Sequence, residues 1–154
     1  MNKYIKKLEE LKLVGFRVVC EGDQYINEIP KAAKRLQDRT SEIQHVLNSG
    51  KQVGAFVVEE TTPEDEGYWV CVQVEEFAQI PEGMVTLTIP PQKYAAIMHK
   101  DSSHLIGQSY ETLHKWIAEH GMKRSLRGWN LEFYQSVDPG SAQLEVELCD
   151  SIHA

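Results

Sequence analysis

Residues 127–135 read RGWNLEFYQ, and one carboxylate, Glu132, stands there between Leu131 and Phe133 with Trp129 and Tyr134 close by. An acid in an aromatic setting has two chemical uses. It can move a proton as general acid or base, or it can hold a cation that the surrounding ring faces also attract. Side chains alternate along a strand, so Glu132 shares a face with Asn130 and Tyr134, while Trp129, Leu131 and Phe133 take the other. Periodicity alone makes Glu132 the wet side of an amphipathic strand. Tyr134, an aromatic on the same face, argues for a covered one.

Other chemistries find little support. His99 and His104 are five residues apart across a loop-to-helix junction, and His114 and His120 are six apart on one helix, a poor shared face. With no HExxH motif and no Cys/His cluster, no metal and no cofactor are expected. There is no GxSxG elbow. GKQVGAF lacks the GK[ST] of a phosphate loop. Cys20, Cys71 and Cys149 are odd in number and far apart, so no disulfide framework is expected, and Cys71 reads as a small core residue.

The bulk composition narrows the partners. The chain has 154 residues, 42% of them hydrophobic and 25% charged, and a net charge of −7. That length fits one globular domain. An acidic balance disfavours a nucleic-acid surface, and Lys31, Lys34, Arg35 and Arg39 read as a solvated helix face. No run is long and apolar enough to span a membrane. MNKYIKKLEELK lacks the apolar middle of a signal peptide, so a reducing, cytoplasmic setting is expected.

These residues need elements to position them. Strands are expected over 13–20 (LVGFRVVC), 52–59 (QVGAFVVE), 68–77 (YWVCVQVEEF) and MVTLTIP, then 93–100 after Pro90-Pro91, then RGWNLEFYQ and, past a DPGS turn, QLEVELC. A first helix should begin near Pro30. Its apolar stripe is Ile29, Ala33, Leu36, Ile43 and Leu47, with a kink or break at Thr40-Ser41 and a cap at Asn48-Ser49-Gly50. A second runs from about Ser103 to His120 on the stripe Ile106, Tyr110, Leu113 and Ile117. Strict alternation in QLEVELC predicts antiparallel pairing with one wet face. The order is β-α-β-β twice: an α+β fold of duplicated units, a mostly antiparallel sheet with two helices on one face, and a ligand cleft at the seam between halves.

LVGFRVVC, IPKAAKRL, LTIPPQKYAAIMHK, SYETLHKWIAEHG and WNLEFYQ, in this order and spacing, resemble the GyrI-like small-molecule-binding domains, the effector-binding domains of AraC- and BmrR-type transcription regulators. The Pro-x-x-x-Tyr-Ala segment and the pair Glu132-x-Tyr134 are the most telling. The resemblance covers roughly residues 10–150 and implies a single such domain that binds hydrophobic compounds, cationic or planar among them, in a groove into which Glu132 projects. It makes Glu132 and Tyr134 the leading ligand-binding residues. Candidate walls are Tyr68 or Trp69, according to register, with Phe16, Phe56, Tyr110 and Trp116. A carboxylate in such a cleft resists ionisation, so its pKa should rise. About a dozen residues precede the first expected strand, too few for a helix-turn-helix. A stand-alone sensor is therefore expected, with a small molecule as ligand, no direct contact to nucleic acid or membrane, and a DNA-binding regulator or gyrase as protein partner. The alternatives are a hydrolase of electrophilic compounds using Glu132 and Tyr134, and a gyrase-inhibitor-like module using the acidic run 59–66.

Overall fold

The computed structural model describes residues 2–59, 62–135 and 143–154. The DPGS turn lies outside them, as do residues 60 and 61 of the acidic run. The elements in chain order are β1 (Lys3–Leu8), β2 (Leu11–Val18), α1 (Tyr25–Arg39), β3 (Gln52–Val57), β4 (Tyr68–Val74), β5 (Val85–Ile89), β6 (Gln92–Ser102), α2 (Ile106–Glu119), β7 (Trp129–Tyr134) and β8 (Gln143–Ser151). All eight strands form one sheet in the order β1-β6-β8-β7-β3-β4-β2-β5. Every pairing is antiparallel.

This is the expected α+β class, with a richer repeat. Each half is β-β-α-β-β rather than β-α-β-β. Exchanging β1 with β5, β2 with β6, β3 with β7 and β4 with β8 reverses the strand order onto itself. The pseudo-twofold axis therefore passes between β3 and β7. The leading strand of each half crosses to the other: β1 pairs with β6, and β5 pairs with β2. The extra strand is β1, which lies within the dozen residues before the first expected strand. Its lysines hide it, and they suit an edge strand, where charge discourages stray pairing.

Two connections of two residues each force the sheet to curl. Glu9 and Glu10 join β1 to β2, and Pro90 and Pro91 join β5 to β6, yet each joined pair stands six strands apart in the sheet. Laid flat, six spacings would span roughly 29 Å, and such a linker reaches only about 11 Å. The sheet instead wraps on itself. Tyr4 and Leu8 from one edge pack with Leu87 and Ile89 from the other around Leu13, Trp69, Cys71 and Leu131. That inner core explains a second difference. The face of β8 opposite Leu144, Val146 and Leu148 is not wet throughout: Glu145 is exposed, but Glu147 and Cys149 are buried.

The two helices lie on the outer face, one over each half. Ala32, Ala33 and Leu36 of α1 pack on Val14, Val70 and Val72. Leu113 and Ile117 of α2 pack on Ala95, Ile97, Val146 and Leu148. Helix α1 starts at Tyr25, five residues before Pro30, and ends at Arg39. Thr40–Glu42 form a 3-10 turn, and Ile43 is already extended. The break expected at Thr40-Ser41 is therefore the helix end. Ile43 and Leu47 belong to the following extended segment, where Val46 bridges to Val74. Asn48, Ser49 and Gly50 all have positive φ and turn the chain into β3 rather than capping a helix. The basic residues of α1 face solvent in pairs, Lys31 with Glu28, Lys34 with Asp38, and Arg39 with Glu42. Among the described residues no helix is long and apolar enough to cross a membrane.

Candidate functional site

Glu132 sits on β7 at the seam, paired across the pseudo-twofold axis with Gly54 of β3. It faces the helices and is 7% exposed. That missing side chain on β3 is what shapes the site. A Cβ on Gly54 would stand 1.7 Å from the Tyr68 hydroxyl, so the Tyr68 ring crosses β3 exactly where no side chain intervenes. A glycine inside a strand marks such a close approach, and in QVGAF this was the available signal for it.

Three phenols converge on the carboxylate. Tyr68 Oη donates to Glu132 Oε1 at 2.5 Å. Tyr110, reaching down from α2, donates to Oε2. Tyr134 Oη lies 3.3 Å from Oε1 and 3.1 Å from the Tyr68 hydroxyl. Phe56 stacks on the Tyr68 ring at 5.8 Å between centroids. Burial, then the charge of Glu132, push the Tyr68 and Tyr110 phenols well above the ordinary tyrosine value, and Tyr134 rises for the same reasons. All three are therefore neutral hydroxyl donors at physiological pH. Hydrogen bonds to a charged acceptor contribute roughly 1.5–3 kcal/mol each. They offset part of the several kcal/mol that desolvating a carboxylate costs.

What the site lacks is equally informative. Among the described residues no lysine, arginine or histidine forms an ion pair with Glu132. A network of charged groups lies behind Tyr110, whose ring meets that of His114 at 5.8 Å. His114 Nε2 is 2.6 Å from the buried Asp150 carboxylate, which also accepts from Asn130 Nδ2 at 2.6 Å. These residues brace α2 against the sheet behind the site.

The other expected wall residues divide. Trp69 faces the inner core, edge-on to Trp129 at 5.0 Å and beneath the Arg17 guanidinium. Register thus selects Tyr68 and corrects Trp69, because neighbours on a strand point to opposite faces. Phe16 shares the outer core with Tyr68 but is covered by the Arg35 guanidinium at 4.3 Å. Trp116 packs against His120 at 4.6 Å, toward the end of α2. Neither Phe16 nor Trp116 makes a hydrogen bond or ring contact with the Glu132 group, so both are better placed as core residues than as its walls.

The histidines have other tasks. His99 Nε2 donates to the Ser102 carbonyl, and Nδ1 lies 2.7 Å from the Ser109 hydroxyl. Among the described residues no three His, Cys, Asp or Glu side chains gather as a metal site. Cys71 is buried, and burial pushes its thiol well up, away from reactivity. The described part of the acidic run is tied back by Arg17, which donates to the Pro63 and Glu66 carbonyls.

Comparison with known proteins yields a consistent set of likenesses. Residues 1–150 match the model of a GyrI-like small molecule binding domain. The transcriptional regulator BrlR of Pseudomonas aeruginosa is 33% identical over 86 residues, which are 51% of this chain and 32% of BrlR. The chain thus matches about a third of that relative's length. A structure of SAV2435 bound to tetraphenylphosphonium superposes with TM-score 0.74 at 20% identity, covering 100% of this chain and 95% of the other. EcmrR in a complex with DNA gives TM-score 0.72 at 16% identity over 99% of this chain and 57% of EcmrR. At such identities the structural likenesses establish the fold.

Proposed function

The chain belongs to the GyrI-like small-molecule-binding family, of the effector-binding type found in transcription regulators, and from that premise we propose that its ligand is a hydrophobic cation held on Glu132 between Tyr68, Tyr110 and Tyr134. One observation carries the proposal: a carboxylate 7% exposed, with phenol donors and no basic partner among the described residues. Such an acid is a charge without a counter-ion. A ligand cation supplies one, and ring faces within about 6 Å add cation–π attraction. Since the walls are aromatic rather than hydrogen-bonding, affinity tracks charge and apolar bulk more than shape. Broad recognition follows.

The hydrolase reading shares these residues but fits them less well. A general base needs a free lone pair directed at its target proton. A carboxylate offers about four such sites, and phenol hydroxyls already occupy three of them here. The arrangement is better suited to holding a cation than to abstracting a proton. As an effector module the domain would convey occupancy to a DNA-reading regulator.

Co-crystallisation with tetraphenylphosphonium tests the placement. The phosphorus centre is expected between the helices, over Glu132 and ringed by the three tyrosines. Electron density for the cation on any other surface, with the Glu132 group undisturbed, would refute it.

A further inference from the structure

The curled sheet has a second concavity, on its inner face and on the far side of β7 from Glu132. A cavity of about 390 Å3 opens at one end of the wrap. That volume is in the range of small-molecule sites. Its floor is apolar, formed by Leu11, Val53 and Phe133, and its rim carries Lys6, Lys51 and Gln73.

Among the described residues the charged capacity left at this mouth is that of donors. Glu147, the one acid among the described lining residues, is already engaged: Oε1 accepts from Lys6 Nζ at 2.7 Å, and Oε2 accepts from the Tyr4 hydroxyl. Gln73 Oε1 is taken by Asn48 Nδ2 at 3.1 Å, which leaves the Gln73 amide as a donor. Lys6 lies 4.9 Å from the Phe133 ring centre and uses one of its ammonium protons on Glu147. Lys51 is exposed and has no side-chain partner among the described residues. With Lys6 paired to Glu147, Lys51 is left in excess and gives the described lining a net positive charge in a chain whose net charge is −7.

We propose that this inner cavity is a second ligand site, for small carboxylates with an apolar body. The carboxylate meets Lys51, Lys6 and the Gln73 amide at the rim, and the body rests on Phe133, Val53 and Leu11. Amphipathic anions of this class are excluded from the Glu132 side by its unpaired charge. The proposal therefore stands independently of the cation reading.

The probe is 4-phenylbutyrate, titrated by calorimetry, with its uncharged alcohol 4-phenylbutanol as control. Saturable binding at sub-millimolar to millimolar concentration is expected, stronger for the acid than for the alcohol. Lys51→Glu, an exposed change that leaves the fold alone, should weaken the acid by roughly fivefold or more and leave tetraphenylphosphonium titrations unchanged. Lys6→Met, checked for folding by its melting curve, should weaken it further. Absence of 4-phenylbutyrate binding would overturn the proposal. So would equal affinity for acid and alcohol, indifference to Lys51→Glu, or loss of 4-phenylbutyrate binding in Glu132→Gln.

Discussion

Glu132 and Glu147 are both 7% exposed, on neighbouring strands of one sheet, and they are held in opposite ways. Glu147 points inward and has a lysine: Lys6 pairs with it and Tyr4 donates to it. Glu132 points toward the helices and among the described residues is met by phenols. The pairing that neutralises Glu147 also fastens edge strand β1 to the middle of the sheet, so this acid stabilises the wrap. Glu132 is held by phenol hydroxyls that carry no charge, so its own charge remains available. Equal burial therefore says nothing about role. The presence or absence of an internal counter-charge does.

Alkali should weigh more on Glu132, where three phenols have a raised pKa, than on Glu147, where Tyr4 is raised as well. Phenols whose folded pKa is raised keep their protons when the unfolded chain has begun to lose them. Their stabilisation is complete below the unfolded value of 10.0 and is lost as pH rises from there toward the folded values. Denaturant unfolding is expected to show a steep fall above pH 10, shallower in Tyr68→Phe and Tyr110→Phe. Between pH 7 and 10 the phenols do not titrate, and cation affinity should stay level.

Next in size is Gly54→Ala. Its new Cβ collides with the Tyr68 hydroxyl, so Tyr68 must leave Glu132. Overpacking of this kind costs about 1–3 kcal/mol, read as a lower unfolding midpoint, and cation binding should fall with it. Glu147→Gln makes the contrasting case. Lys6 is 31% exposed and can turn to water, so the loss should be about 1 kcal/mol, with tetraphenylphosphonium affinity unaffected. Smallest is Trp116→Leu, which trims a helix end against His120 and should leave cation binding within about twofold.

Much of this contrast was legible in the sequence, and the reason differs from residue to residue. Period-two alternation put Glu132 and Tyr134 on one face, and helical spacing put Tyr110 on the buried stripe of α2. Tyr68 against Trp69 needed register, which depends on the partner strand and on the gap at Gly54. The strand β1 was invisible because KYIKKL takes its apolar character from position rather than composition. Glu145 and Glu147 look identical in QLEVELC. Only the curl of the sheet, set by two short connections between distant strands, exposes one and buries the other, and no local pattern encodes that.

The most direct test of the unpaired-acid claim is the dissociation constant for tetraphenylphosphonium, measured by calorimetry on the native chain and on Glu132→Gln. Gln preserves size and removes the charge, and the phenol that meets its amide nitrogen turns from donor to acceptor. The affinity is expected to fall at least about tenfold, equivalent to roughly 1.4 kcal/mol, with the melting temperature moved by only a few degrees. Equal affinity in a folded Glu132→Gln protein would contradict the claim.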